Sequence, residues 1–174
     1  MITWILLLTC AQEDQAIRLF HKDFRSDQNL ESKRKAIAEL SLHPHPRTAN
    51  VLVPVLGDSD EAVAAEAARA FAKFGSVKGV SGLLISHFNA ACNRRKSRLR
   101  IAIVQSLGEL RDPGSLPHLH KSLRDLDFEV AREVVRALVL FRSRESVPLL
   151  ISYLQIVDHE PGRRLRRGLQ GDGE

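Results

Sequence analysis

Two histidine pairs, His43-Pro44-His45 and His118-Leu119-His120, have the residue type and closeness of metal ligands. Residues two apart on a helix lie on nearly opposite faces, so His118 and His120 cannot share an ion without further ligands, and no Cys or Glu cluster accompanies either pair. Asp58/Asp60 and Asp125/Asp127 suggest calcium loops. Eleven residues after the first Asp of each stands Arg69 or Arg136, where a calcium loop needs a bidentate Glu, and the turn glycine is missing. They read as helix caps instead. Gly79-Val80-Ser81-Gly82-Leu83 lacks the second glycine of a serine-nucleophile elbow at its proper place, and no glycine-rich phosphate loop follows a strand. Cys92 lies beside Arg94 and Arg95, but no histidine is placed near it by sequence, so it reads as packed or inert. No catalytic constellation emerges, and neither a metal nor a cofactor is expected.

The elements that would carry these residues repeat. An apolar residue followed three and then four positions later by large apolar ones recurs as Ile17/Phe20/Phe24, Ala49/Leu52/Leu56, Ser81/Leu84/Phe88, Leu116/Leu119/Leu123 and Val147/Leu150/Leu154. The last members are 32, 32, 35 and 31 residues apart. Spacings of three and four lie on one helix face, so each copy predicts a short amphipathic helix. Between the copies runs a second pattern, Ala36/Leu40, Ala67/Phe71, Ile103/Leu107 and Val134/Leu138, in step at intervals of 31, 36 and 31. A further apolar residue follows at Phe74, Leu110 and Phe141, with His43 in that place in the first copy. The unit is two antiparallel helices repeated about every 33 residues. Small faces such as Ala64, Ala67 and Ala68 allow close helix approach.

Turn residues agree with this division. Leu56-Gly57-Asp58-Ser59-Asp60 and Leu123-Arg124-Asp125-Leu126-Asp127 occupy the same place in their units, and an Asp there accepts from the free amides of the next helix's first turn. Pro117 and Pro148 fall in helix first turns, whereas Pro54 lies deeper and predicts a bend.

A two-helix unit of this length, with Asp in the inter-helix turn and the stretch SLGELRDPGSLPHLHKSLRD, resembles the HEAT repeat family, most nearly the bacterial HEAT-like repeat also found in phycobilisome lyases. The resemblance covers roughly residues 13 to 156 and implies an all-α, right-handed solenoid of about four two-helix units. In that family a Val-Arg pair opens the second helix, and its Arg bonds the turn Asp of a neighbouring unit. Here the pair survives only as Leu99-Arg100, against Val63-Ala64 and Val130-Ala131, so the resemblance implies one such bond, made by Arg100. HEAT-repeat deoxyhypusine hydroxylases bind iron through several His-Glu pairs. The single His159-Glu160 does not support that activity.

The chain has 174 residues, 44% of them hydrophobic and 27% charged, which describes one packed domain or short repeat array rather than a disordered chain. No apolar run reaches a membrane-spanning length. Residues 1–11 read as a secretory signal cleaved after Ala11, and Leu7-Leu8-Thr9-Cys10 as a weaker match to a lipoprotein box, so export to the periplasm or beyond is expected over a cytoplasmic location. Residues 12–156 form the repeat domain, and 157–174 a flexible or partly helical tail. After Val147, Leu150 and Leu154 the second helix of a fifth unit fails at Pro161-Gly162, which reads as a shortened gene product, a tail that folds as a half cap, or an exposed stripe that docks a partner or another copy of the chain.

Between Ala67 and Gly108 there is no Asp or Glu, while eight Lys and Arg fall there; the net charge of the whole chain is only +5. The densest part, Arg94, Arg95, Lys96 and Arg98 with Arg100, lies where the third unit is longer than its neighbours. Concentrated positive charge on a loop attracts acidic surfaces or phosphates. Six of the seven Phe residues hold helix-core positions, which leaves few aromatics for base stacking and disfavours nucleic acid. The expected function is a non-catalytic protein-binding scaffold. Its partner, with an acidic surface, would meet the basic loop and Arg69, Lys73, Arg132 and Arg136 on a concave face made by the second helices, Ser32–Leu42, Ala62–Phe74, Leu99–Leu110 and Glu129–Phe141. The alternatives are an enzyme or enzyme assistant resembling bilin lyases, and nucleic-acid binding through the loop at Arg94–Arg100.

Overall fold

In a computed structural model, the backbone of residues 2–24 and 29–159 and the side chains of residues 12–24 and 29–155 are described. Among the described residues the chain is helical throughout: α1 (Ile2–Asp23), α2 (Leu30–Leu40), α3 (Pro46–Leu52), α4 (Glu61–Ala70), α5 (Val80–Asn89), α6 (Ser97–Leu110), α7 (Leu116–Ser122), α8 (Phe128–Phe141) and α9 (Ser146–His159). The expected cleavage point after Ala11 lies within α1, and Glu160 and the rest of the tail lie outside the described residues.

Four units follow, α1/α2, α3/α4, α5/α6 and α7/α8, with α9 as the first helix of a fifth. The second helices lie side by side, α2 on α4, α4 on α6 and α6 on α8, so the architecture is an all-α solenoid. The repeat pattern is its core: Phe20, Leu52, Leu84 and Leu119 are buried, as are Leu40, Phe71, Leu107 and Leu138. Each such side chain stabilises the fold by roughly 1.5–3 kcal/mol relative to exposure. The fifth copy differs, because Val147 and Leu154 are exposed.

Small residues set the helix spacing. Ala64, Ala67 and Ala68 are fully buried in α4, and the Ser106 hydroxyl of α6 donates to the Ala68 carbonyl at 2.7 Å. At the α6–α8 contact a Cβ on Gly108 would stand 3.0 Å from both Cα and Cβ of Ala137, a close approach that only glycine permits without a shift. The bend expected at Pro54 takes the form of a tightened turn: α3 stops at Leu52 and Val53–Gly57 continues as a 3-10 helix. Two second helices end sooner than expected. α2 stops at Leu40, leaving Leu42 exposed in the turn, and α4 stops at Ala70 before a 3-10 turn at Phe71–Phe74.

Candidate functional site

The turns between first and second helices are built by local hydrogen bonds. In the second unit the Asp60 amide donates to Asp58 Oδ1 and the Ala62 amide to Asp60 Oδ1, both at 2.8 Å. The fourth unit repeats this frame: the Asp127 amide donates to Asp125 Oδ1 at 3.0 Å, and the Glu129 amide to Asp127 Oδ1 at 2.9 Å. Asp60 and Asp127 are the N-caps of α4 and α8, in keeping with the sequence reading.

The third unit departs from the frame. Eleven residues separate Phe88 from Leu99, against seven from Leu56 to Val63 and from Leu123 to Val130. Lys96 stands at the N-cap of α6 and makes no side-chain cap. Glu61 of the preceding unit supplies the acceptor instead, taking the Leu99 amide at 3.2 Å. The longer loop is shaped by a 3-10 turn at Ala91–Asn93 and by buried Asn93, whose Nδ2 donates to the His87 carbonyl at 2.9 Å. Cys92, expected to be packed or inert, is exposed as a free thiol.

This loop and the turn of the fourth unit enclose an open groove of about 750 Å³. At its floor Arg100 is only 8% exposed and forms a two-point ion pair with Asp125 of the next unit, Nη1 to Oδ1 at 3.1 Å and Nη2 to Oδ2. The guanidinium lies 4.4 Å over the Phe88 ring, and His118 meets the same ring edge-on at 4.9 Å. Burial, with Lys121 and Arg100 nearby, holds His118 below its ordinary pKa, so the imidazole is neutral at neutral pH. Arg94, Arg95, Lys121 and Arg124 also line the groove, and none has a carboxylate partner among the described residues. Leu126, at the tip of the fourth unit's turn, is fully exposed beside them.

The five cations expected to act together therefore divide. Arg94 and Arg95 line the groove. Arg100 is not a loop charge at all: it lies in α6, buried, with its charge matched by Asp125, as the repeat resemblance implies. Lys96 turns back to the second unit, its Nζ 3.4 Å from the Asp58 carbonyl oxygen, and Arg98 is exposed without lining the groove. The cations expected on the second helices are exposed but not isolated. Arg69 pairs with Glu66, Arg132 with Glu129 and Arg136 with Glu133, and Lys73 donates to Ser41 Oγ at 3.0 Å. Sequence reasoning missed Lys121, Arg124 and Leu126. The signal was present in the register of the turns: Gly57-Asp58-Ser59-Asp60 matches Arg124-Asp125-Leu126-Asp127, so Gly becomes Arg and Ser becomes Leu where the fold asks for neither.

The histidines do not gather. His118 faces the groove, His120 Nε2 is 2.9 Å from Ser146 Oγ, and His45 Nδ1 accepts from the Arg47 amide at the start of α3. Among the described residues no three His, Cys, Asp or Glu side chains stand together as a metal set, and no helix is long and apolar enough to cross a membrane.

Repeated helical pairs, buried small faces, turn Asp caps and the Arg100–Asp125 bond between units define a solenoid of tandem two-helix repeats. The family model for HEAT repeats matches residues 17–95 and 85–169, and the chain belongs to the HEAT repeat family. Proteins of this family generally serve as protein-interaction scaffolds. No curated protein matches the chain.

Proposed function

We propose that the chain is a non-catalytic scaffold that binds a protein partner by an acidic segment lying in the groove between the third and fourth units. One observation carries this reading: Arg94 and Arg95 of one unit and Lys121 and Arg124 of the next line a single groove with no carboxylate partner among the described residues. The two groove carboxylates are already occupied, Asp125 by Arg100 and Asp127 by the α8 amides and the Ser97 hydroxyl. With Arg100 matched by Asp125, the four remaining cations outnumber Asp127, and a groove of net positive charge favours an anionic partner and raises its association rate. Arg69, Arg132 and Arg136, each with a Glu one helical turn away, offer a weaker secondary contact face.

On the same reading the chain is exported. Cleavage after Ala11 would leave the ion pair of Asp14 with Arg47, and the burial of Phe20, within the mature chain. N-terminal sequencing of the mature protein checks this, and an intact Met1 would end it.

The full chain serves as bait in a nuclease-treated extract of the source cells, beside a variant carrying Arg94→Glu, Arg95→Glu, Lys121→Glu and Arg124→Glu. A stoichiometric partner retained by the first and lost from the second supports the groove. Equal retention moves the contact elsewhere, and a partner that the unaltered chain retains only from a parallel extract without nuclease favours the nucleic-acid alternative.

A further inference from the structure

We infer that the occupant of the groove is an acidic segment that also carries an apolar anchor, received on Leu126 at the groove's rim. This rests on the protein-binding reading above and specifies the chemistry of the partner. Leu126 is 102% exposed, and Phe128, two residues on, is 42% exposed. An isolated surface leucine needs no explanation, but this one differs from its neighbours in three respects.

Its backbone is held. The Asp127 amide bonds Asp125 Oδ1 across Leu126, Asp125 is in turn anchored by Arg100, and Asp127 caps α8, so the side chain is presented from a rigid turn rather than a loose loop. Little conformational entropy is then lost when a partner packs on it. Its position in the repeat frame is satisfied by serine in the second unit, where Ser59 sits between the same two Asp side chains with the same hydrogen bonds. The fold therefore does not call for leucine. Finally, it adjoins the cations: Arg94, Arg95, Lys121 and Arg124 line the groove that Leu126 borders.

Charge complementarity selects acidic residues for the groove, and the exposed leucine selects an apolar side chain next to them. Acidic side chains alone would leave Leu126 in water, and an apolar segment alone would leave four cations facing it unpaired. A segment with Asp or Glu and an interleaved Leu, Ile or Phe meets both demands, with steering from the charges and lifetime from the buried anchor.

The test uses the full chain and two fluorescent pools of 15-residue peptides with the same fixed Glu positions. In one pool the remaining positions are Ser and Gly only; in the other, one or two are Leu, Ile or Phe. Anisotropy titrations at physiological salt should show the apolar-doped pool binding about tenfold more tightly, the factor that burying one such side chain supplies. Leu126→Ser should abolish that preference, bringing the two pools to equal affinity, with thermal melting confirming the fold. Arg95→Glu with Arg124→Glu should weaken both pools. Equal affinity of the two pools for the wild-type chain, or a preference that survives Leu126→Ser, overturns the anchor and leaves the acidic-segment reading standing. Binding of neither pool, or tighter binding of a DNA duplex than of either pool, overturns both.

Discussion

The turns of the second and fourth units share one backbone frame and differ in what they show to solvent. In both, the first Asp accepts from the amide two residues on, and the second Asp caps the following helix. Around that frame Gly57 and Ser59 are replaced by Arg124 and Leu126. Ala64 and Ala131 occupy the place that Arg100 fills in the third unit, so the fourth unit's turn is the one that receives an arginine from the preceding repeat. The hydrogen-bonding needs of the fold are thus met alike in the two turns, and the positions left over are where a binding surface can be written without cost to the solenoid.

The largest way to break this relation is to remove the bond that anchors the fourth turn alone. Arg100→Ala leaves Asp125 unpaired at a site where its side chain is only 12% exposed, and should destabilise the chain by about 3 kcal/mol in urea titration. Replacing both partners, Arg100→Met with Asp125→Asn, which keeps an oxygen to accept from the Asp127 amide, should restore much of that loss, since the penalty arises chiefly from the stranded charge. A double change no more stable than Arg100→Ala would show that the pair contributes net attraction.

The shared frame predicts similar costs for its shared parts. Asp60→Ala should cost about 1 kcal/mol, and Asp127→Ala about 1–2 kcal/mol, because Asp127 also takes the Ser97 hydroxyl of the neighbouring unit. Denaturation midpoints for the two variants check this. A negligible effect at either would mean that the cap is replaced by water and that the two turns are not equivalent.

Smaller still is the change at the exposed tip. Leu126→Ser converts the fourth turn toward the second and should alter stability by less than about 0.5 kcal/mol in the same assay, because the exposed side chain packs on nothing in the fold.

The mildest effect is that of pH. His87 and His118 both sit below the ordinary histidine pKa, His87 through burial and His118 through burial and then its cationic neighbours. Between the folded value and the unfolded one near 6.5 the unfolded chain binds more protons, so stability is complete above the unfolded value and declines as pH falls below it. Thermal melts from pH 7.5 downward should show that decline, and His118→Asn should flatten part of it. An unchanged slope in His118→Asn would assign the effect to other groups.

Much of the fold was legible in the chain. Spacings of three and four, such as Phe71/Phe74 and Ile103/Leu107, are local consequences of helical geometry, and the caps at Asp60 and Asp127 act within three residues. The candidate site was half legible. The cationic cluster at 94–100 was visible, but its members act over distances that no local pattern records: Lys96 reaches back 38 residues to the Asp58 carbonyl, and Arg100 reaches forward 25 to Asp125.

What the sequence determined by itself was therefore the repeat, its helices, its caps and the place where charge accumulates, because each depends on neighbours within a few turns. Only the tertiary structure decided which cations face one another. Stacking brings the third unit's longer loop against the fourth unit's turn, so that Arg94 and Arg95 come to share a groove with Lys121, Arg124 and Leu126 while Arg100 is buried beneath them. That choice is made by the packing of α6 on α8, where Gly108 meets Ala137, and by the extra length of one loop, and both act through space between residues far apart in the chain.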